Sequence, residues 1–281
     1  MNDEDFHLLR DCVYSHCGIF FDNDSKYLLE KRLARRLTAL NLPSFRDYYH
    51  YLKYNRKKDQ ELMDIMDILT TNETYFFRES FQLKAFTDEI IPELIAKKSE
   101  SGLRTLRIWS AGCSTGEEAY TIAMLLHGTT ELRGWKIEII GTDISQRVLH
   151  HARRAVYGKS SFRATDEEYI KHFFIEQDDG FKVCDEIRDL VTISHLNLFD
   201  VNRMFMLGRM DLIFCRNVII YFDLAAKKRV VESFFNSLND GGYLLLGHSE
   251  SLMNVTTQFT LRHFKNDMIY QKPERTNGVR P

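Results

Sequence analysis

Apolar side chains recur at helical spacing through the first part of the chain. Phe6, Leu9 and Val13 share one face of a predicted helix. The segments KYLLEKRLARRLTAL and DQELMDIMDILT carry similar apolar stripes. This pattern predicts an all-helical N-terminal domain over residues 1–78, and residues 79–100 are interpreted as a linker helix.

From residue 104 onward the pattern changes to short apolar runs. The runs LRIW, KIEIIGTD, LVTISHLN and MDLIFCRN have helical stretches between or after them, which predicts βαβ units and a parallel sheet. GGYLLLGHSE predicts a further strand, and QFTLRHFKNDMIYQK predicts an antiparallel hairpin. We therefore expect a Rossmann-like α/β domain over residues 101–281. A parallel sheet that ends in such a hairpin is typical of one large class of methyl-transferring enzymes.

Two segments of this second domain fall outside the alternation of strands and helices. About residues 157–188 separate the second and third predicted strands, and we expect them to form a small inserted subdomain. The closing PERTNGVRP is expected to be disordered.

Composition narrows the class of protein. The 281 residues are 44% hydrophobic and 28% charged, as in a soluble globular protein, and the net charge of −2 argues against a nucleic-acid partner. The cysteines are scattered without a C-x-x-C pair, which indicates reduced thiols, no metal site and a cytoplasmic location. The acidic start is followed by no apolar signal segment, and no run approaches the ~18 apolar residues of a membrane span.

The segment LRIWSAGCSTGEEAY contains a candidate ligand-binding loop. Gly112 and Gly116 lie between a predicted strand and a predicted helix, where glycine permits close approach and the helix start offers free N–H groups. A phosphate-binding loop would continue with Gly-Lys-Ser/Thr, but here Glu117 and Glu118 follow and would repel a pyrophosphate. The loop therefore favours a neutral or cationic ligand. An alternative interpretation is that the two glutamates complement the helix dipole.

Polar residues at the ends of the next two strands extend this site. Asp143 ends the second strand, where a carboxylate can accept hydrogen bonds from ribose hydroxyls. Asn197 follows the third strand and could pair with an adenine edge. A ligand with adenine and ribose but no phosphates fits S-adenosylmethionine.

The motifs TNETYFFRE, WSAGCSTGEEAYTIAMLL, GTDIS, LNL, FCRNVIIYF and GHSES, in this order, resemble the CheR family of chemotaxis receptor methyltransferases over nearly the whole chain. The resemblance implies methyl transfer from S-adenosylmethionine to glutamate side chains of bacterial chemoreceptors, with S-adenosylhomocysteine as the second product. It assigns catalytic roles to Arg78 and Tyr221. The cofactor contacts that it implies are Asn72, Thr74, Arg78, Ala111, Glu117, Asp143, Asn197, Leu198, Arg216 and Asn217.

The implied chemistry agrees with the residues present. A carboxylate acceptor is ionised at neutral pH and needs no general base, and no His or Cys pair stands at convincing catalytic spacing. The guanidinium of Arg78 suits a carboxylate, either the substrate's or the cofactor's. Two plainer interpretations stay open, namely a surface arginine for Arg78 and a core aromatic for Tyr221.

Two other functions compete with this one. A methyltransferase acting on RNA or on another protein could share the fold, but base N-methyltransferases commonly carry an Asn/Asp-Pro-Pro-aromatic turn where this chain reads CRNVIIYF. The arginine in that turn suits a carboxylate and would repel a cationic amine. A regulatory module that only binds S-adenosylmethionine is the other alternative, and the intact ligand-binding loop does not exclude it.

The second predicted helix carries a cluster of basic residues next to its apolar stripe. These residues are Lys31, Arg32, Arg35 and Arg36. A solvated basic face is the simplest interpretation. By the resemblance, this helix faces the methylation region, so we expect it to bind the glutamate-rich cytoplasmic helical bundle of a receptor. We expect the protein to act as a monomer, and its short QDDGFKV segment favours independence from a receptor's C-terminal peptide.

Overall fold

The N-terminal part of the molecule is a bundle of helices. The computed structural model describes residues 1–274, so the disorder expected from residue 275 onward lies outside the described residues. The bundle consists of α1 (Asp3–Cys17), α2 (Lys26–Leu40), α3 (Phe45–Tyr54) and α4 (Lys58–Leu69). The side chain of Asn2 caps α1, and Asn41 ends α2 in the left-handed conformation at φ 51°.

A buried ion cluster joins α2, α3 and α4. Glu61 is 3% exposed and accepts hydrogen bonds from Arg36 Nη2 at 2.6 Å and from the hydroxyl of Tyr48 at 2.5 Å. Arg36 also pairs with Asp64 at 2.7 Å. Arg36 is therefore half-buried, and its charge is already compensated by two carboxylates of α4.

Arg36→Ala is expected to lower the free energy of unfolding by about 3 kcal/mol, because it leaves the buried carboxylate of Glu61 without its cation. The neighbouring Arg35 is exposed, and Arg35→Ala is the matched control with little expected change. Urea unfolding followed by circular dichroism measures both. Equal stability of the two variants would contradict the structural role of Arg36.

The rest of the chain forms the α/β part. Its helices are α5 (Ser80–Ala85), α6 (Ile91–Glu100), α7 (Glu117–His127), α8 (Gln146–Arg154), α9 (Glu167–Phe173), α10 (Asp185–Arg188), α11 (Val201–Met206) and α12 (Leu224–Ser237). Its strands are β1 (Thr105–Ala111), β2 (Lys136–Asp143), β3 (Val156–Tyr157), β4 (Phe174–Gln177), β5 (Gly180–Val183), β6 (Val191–His195), β7 (Met210–Cys215), β8 (Leu238–Leu246), β9 (Thr260–His263) and β10 (Met268–Gln271).

Among the described residues, a seven-stranded sheet has the order β6-β2-β1-β7-β8-β10-β9. The strands from β6 to β8 in this order are parallel, and β10 pairs antiparallel with both β8 and β9. The predicted fold class, a helical domain followed by a mostly parallel sheet with an antiparallel hairpin, is confirmed. A second, three-stranded sheet has the order β3-β5-β4 and lies within the segment between β2 and β6.

The sheet brings the candidate residues together, because the carboxyl ends of parallel strands meet at one edge. Asp143 is the last residue of β2, and the ends of β1, β6 and β7 lead into the loops that carry Gly112, Asn197 and Asn217. Within residues 1–274, no helix is both long and apolar enough to cross a membrane.

Candidate functional site

A cavity lies where the carboxyl edge of the sheet faces the helical domain. It is open to solvent, and the empty space within it and its mouth is about 1120 Å³. The helical domain contributes Ile19 and the stretch of residues 69–75 to the wall. Predicted site residues that line the cavity are Asn72, Thr74, Arg78, Asp143, Asn197, Leu198, Arg216, Asn217 and Tyr221.

Two predicted cofactor contacts do not line this cavity. Ala111 is the last residue of β1 and is completely buried. The carboxylate of Glu117 accepts hydrogen bonds from Thr115 at 2.6 Å and from Ser161 at 3.1 Å, so it faces the inserted segment. Burial raises the pKa of Glu117. Glu118, about 100° further round the helix, lines the cavity in its place.

The first loop lies close against the side chain of Val218 in the loop after β7. Gly112 has φ +84°, and a Cβ there would lie 2.4 Å from the Val218 side chain. The amides of Gly112 and Cys113 both donate to the carbonyl of Thr142 at 2.8 Å. Glycine at position 112 is therefore required by the neighbouring loop after β7, in addition to any ligand.

Asp143 is held in place by backbone amides. Its Oδ2 accepts from Ser114 N and its Oδ1 from Ser145 N, both at 2.9 Å. Burial raises the pKa of Asp143, and these amides act in the opposite direction. Each carboxylate oxygen keeps a lone pair that can accept a further hydrogen bond, such as one from a ribose hydroxyl.

Two residues of the cavity lining each carry a buried polar side-chain atom that has no hydrogen-bond partner within the described residues. Among residues 1–274, Ser114 Oγ and Asn217 Oδ1 are buried and make no hydrogen bond. Both residues are in the left-handed conformation, with φ 50° and 59°. Buried polar groups in proteins are nearly always paired, so unpaired ones in these two lining residues are consistent with a polar ligand site nearby. With Asp143, they fit the nucleoside part of S-adenosylmethionine.

Arg216 is already neutralised within the protein. It is 7% exposed, donates to the carbonyl of Arg78 at 2.6 Å, and pairs with Glu79 at 3.1 Å and Glu118 at 3.4 Å. Burial raises the pKa of Glu118, while Arg216 lowers it. Arg216 is thus engaged with these carboxylates and does not support the inference that the arginine after β7 serves a carboxylate substrate.

Arg78 differs from Arg216 in the partners of its guanidinium. Its Nη1 donates to the carbonyl of Glu73 at 2.9 Å, and its guanidinium lies 5.7 Å from the ring of Tyr75. In the part of the chain that the structure describes, it forms no salt bridge. Tyr221 is 37% exposed and lines the same cavity. Arg78 therefore offers a cation, and Tyr221 a phenol, to a molecule that enters from solvent.

Glu250 was not identified from the sequence as a site residue, although it lies in GHSES. Its carboxylate accepts four backbone N–H groups, from Gly247, Asn217, Val218 and Ile220, at 2.7–3.2 Å. Burial raises the pKa of Glu250, and these amides oppose the shift. Glu250 therefore fixes the loop that carries Asn217.

The helical domain holds two further parts of the cavity wall. Phe20 N donates to the carbonyl of Tyr221 at 3.0 Å. The Asn197 amide donates to the carbonyl of His16 at 2.6 Å and accepts from Phe199 N at 2.9 Å. An adenine edge would have to use the remaining N–H or lone pair of Asn197.

Comparison with known proteins gives consistent matches. Residues 4–70 match the family model "CheR methyltransferase, all-alpha domain", and residues 72–268 match "CheR methyltransferase, SAM binding domain". Chemotaxis protein methyltransferase 2 of Vibrio cholerae serotype O1 is 37% identical over 99% of this chain and 98% of that protein. The chemotaxis protein methyltransferase of Borreliella burgdorferi is 38% identical over 85% of each chain. A solved magnesium protoporphyrin IX methyltransferase from Synechocystis, with bound SAM, has a TM-score of 0.34 at 11% identity, covering 79% of this chain and 91% of that one.

Proposed function

This chain belongs to the CheR methyltransferase family, and we propose that it methylates glutamate side chains in the cytoplasmic helical bundle of chemoreceptors. The resemblance seen in the sequence is confirmed, and the protein is an S-adenosylmethionine-dependent methyltransferase of chemotaxis. The product would be a glutamate γ-methyl ester, formed by a monomer in the cytoplasm. We assign the domains as residues 1–78, 79–100 and 101–281, with the insertion at about 157–188.

The observation that supports a carboxylate acceptor is the contrast between two arginines of the cavity. Arg216 is neutralised by Glu79 and Glu118, whereas Arg78 forms no salt bridge within the described residues. A guanidinium with open donors can bind a carboxylate through two parallel hydrogen bonds. A protonated amino group, by contrast, would be repelled by Arg78.

Methyl transfer to a carboxylate requires the protein mainly to position the two reactants. When bound, S-adenosylmethionine supplies a methyl group on a positively charged sulfur. A glutamate carboxylate is ionised at neutral pH, so no residue has to remove a proton from it. Arg78 orients the acceptor and Asp143 holds the ribose. Placing two reactants in the right geometry can by itself provide a large part of a rate enhancement.

Transfer of a radiolabelled methyl group from S-adenosylmethionine tests this proposal against its rivals. A purified receptor cytoplasmic fragment and an RNA preparation are offered in separate reactions. Label in the receptor fragment is expected, and label in RNA alone would overturn the proposal. Calorimetric binding of S-adenosylhomocysteine without any transfer would instead indicate a regulatory module.

The proposed receptor surface is the exposed basic pair on α2. Lys31 and Arg35 are exposed, whereas Arg32 donates to the carbonyl of Leu69. Leu69 lines the cavity, so this hydrogen bond supports a receptor surface on the basic side of α2, close to the site. A pair of cations there is complementary to a glutamate-rich helical bundle. Arg32 contributes by holding α2 against the cavity wall.

Reversal of Lys31 and Arg35 to glutamate is expected to reduce receptor methylation about 10-fold at low salt, and less at high salt, because exposed charges act over ~10 Å at 0.1 M. Affinity for S-adenosylhomocysteine should not change. Lys57 and Lys58 are exposed lysines of the same domain, and their double reversal is the charge-matched control. Equal methylation by the two double variants would show that the basic residues of α2 form only a solvated surface.

The inserted segment supports independence from a receptor's C-terminal peptide. A short turn with Asp178 and Asp179 joins β4 to β5, and Asp179 pairs with Arg154 at 2.6 Å. A turn of this length offers little surface to a receptor's C-terminal peptide, and the carboxylate of Asp178 is unfavourable for its carboxyl terminus. Deleting the receptor's terminal pentapeptide should change the methylation rate by less than about twofold. Abolished methylation would show that the peptide is needed.

A further inference from the structure

A carboxylate of the helical domain is bonded to the loop that follows β2. Asp67 belongs to α4, and its Oδ1 accepts from Ser145 Oγ at 2.6 Å and from Arg147 N at 3.2 Å. Its backbone carbonyl accepts from Arg147 Nη2 at 3.1 Å. The same loop packs Ile144 against the core of the helical domain.

Ser145 connects this carboxylate to the cofactor site. It is completely buried, and its backbone N–H donates to Asp143 Oδ1 at 2.9 Å. Its hydroxyl donates to Asp67, so both ends of the serine are fixed. Asp67, Ser145 and Asp143 therefore form one chain of hydrogen bonds that crosses from the helical domain to the cavity wall.

We propose that Asp67 is a positioning residue for cofactor binding, which holds Ser145 so that the carboxylate of Asp143 faces the ribose. The helical domain is then part of the cofactor site and not only a receptor-binding surface. The inference rests on the proposed function through one assignment, that of Asp143 to the ribose.

The negative charge of Asp67 and its hydrogen bonds act on Asp143 in opposite ways. The charge disfavours the ionised form of Asp143, whereas the hydrogen bonds help to orient its carboxylate. Burial is the main cause of the raised pKa of Asp143, and the like charge of Asp67 adds to it. Asparagine at position 67 removes that charge but keeps an oxygen that can accept from Ser145 and Arg147. Alanine removes both. Comparing the two substitutions separates orientation from charge.

Asp67→Ala is expected to weaken S-adenosylhomocysteine binding by roughly 3- to 10-fold, the effect of one hydrogen bond that orders a buried group. Asp67→Asn should stay within about twofold of the wild type. Asp64 lies three residues earlier in α4 and pairs with Arg36, away from the loop, so Asp64→Ala is the matched control. Calorimetry on folded variants gives the affinities. In turnover, Asp67→Ala should raise KM for S-adenosylmethionine and leave kcat and KM for the receptor unchanged.

A double-mutant cycle shows whether Asp67 acts through Asp143. In the Asp143→Ala background, Asp67→Ala should have no further effect on affinity, because the group that it positions is gone. Additive losses would overturn the proposal, as would equal affinities of the Asp67→Ala and Asp64→Ala variants. If Asp143→Ala itself leaves the affinity unchanged, the ribose assignment fails instead. The two failures are therefore distinguishable.

Discussion

Arg78→Ala is expected to lower kcat/KM for receptor methylation by about 100-fold, or ~2.7 kcal/mol, which is typical for loss of a bidentate contact to a charged group. The guanidinium stands at the cavity without a salt-bridge partner among the described residues, so its removal leaves the acceptor carboxylate without a fixed orientation. Lysine restores the charge but not the planar pair of donors, so Arg78→Lys should recover only part of the rate. Initial rates with a purified receptor fragment measure the effect.

The neighbouring Arg163 provides a control of the same residue type. It lies 3.8 Å from the ring of Tyr75, on which Arg78 also rests, but it is paired with Glu73 at 2.7 Å. Arg163→Ala should keep the rate within about threefold, because exposed ion pairs contribute little. If Arg78→Ala weakened S-adenosylhomocysteine binding as much as it lowered the rate, Arg78 would bind the cofactor's carboxylate instead. An unchanged methylation rate of the Arg78→Ala variant would show that Arg78 does not act in the site.

Asp143→Ala is expected to weaken S-adenosylhomocysteine binding by about 10- to 150-fold, or ~1.5–3 kcal/mol, because two hydrogen bonds to the ribose are lost. The substitution also leaves the amides of Ser114 and Ser145 without their acceptor. Part of the loss would therefore come from a less ordered loop. Calorimetry with the folded variant gives the affinity, and its thermal transition shows how much of the loop's order remains.

Asp185 is a suitable surface control, since it is exposed and pairs locally with Arg188. Asp185→Ala should bind S-adenosylhomocysteine as the wild type does. Unchanged affinity of a folded Asp143→Ala variant would show that the ribose lies elsewhere. Another residue of the cavity at the carboxyl edge of the sheet would then have to bind the cofactor.

The fold class could be predicted because two patterns are local. Helical spacing marks the first domain, and alternation of strand and helix marks the second, so each stretch carries its own signal. The ends of the strands could also be predicted from the sequence, and they locate Asp143 and Asn217 at one edge of the sheet. The pairing of β10 with β9 followed from the hairpin pattern, whereas the pairing of β10 with β8 is a tertiary contact that this pattern did not predict.

The sequence did not distinguish between adjacent residues or identify partners that lie far apart in the chain. Glu117 turns away from the cavity and accepts a hydrogen bond from Ser161, a residue of the inserted segment. Arg36 lies on a basic arc of its helix, but its partner Glu61 belongs to another helix. These contacts are tertiary, and neither helical periodicity nor residue type encodes them.

The chemical nature of the transferred methyl group tests the central claim most directly. A receptor fragment labelled with a radioactive methyl group is treated with mild base, beside a fragment whose candidate glutamates are replaced by alanine. Glutamate methyl esters hydrolyse under these conditions, so the label should leave the intact fragment as volatile methanol, and the alanine fragment should take up none. Label that stays on the protein after base would show an N-methyl group and contradict glutamate esterification.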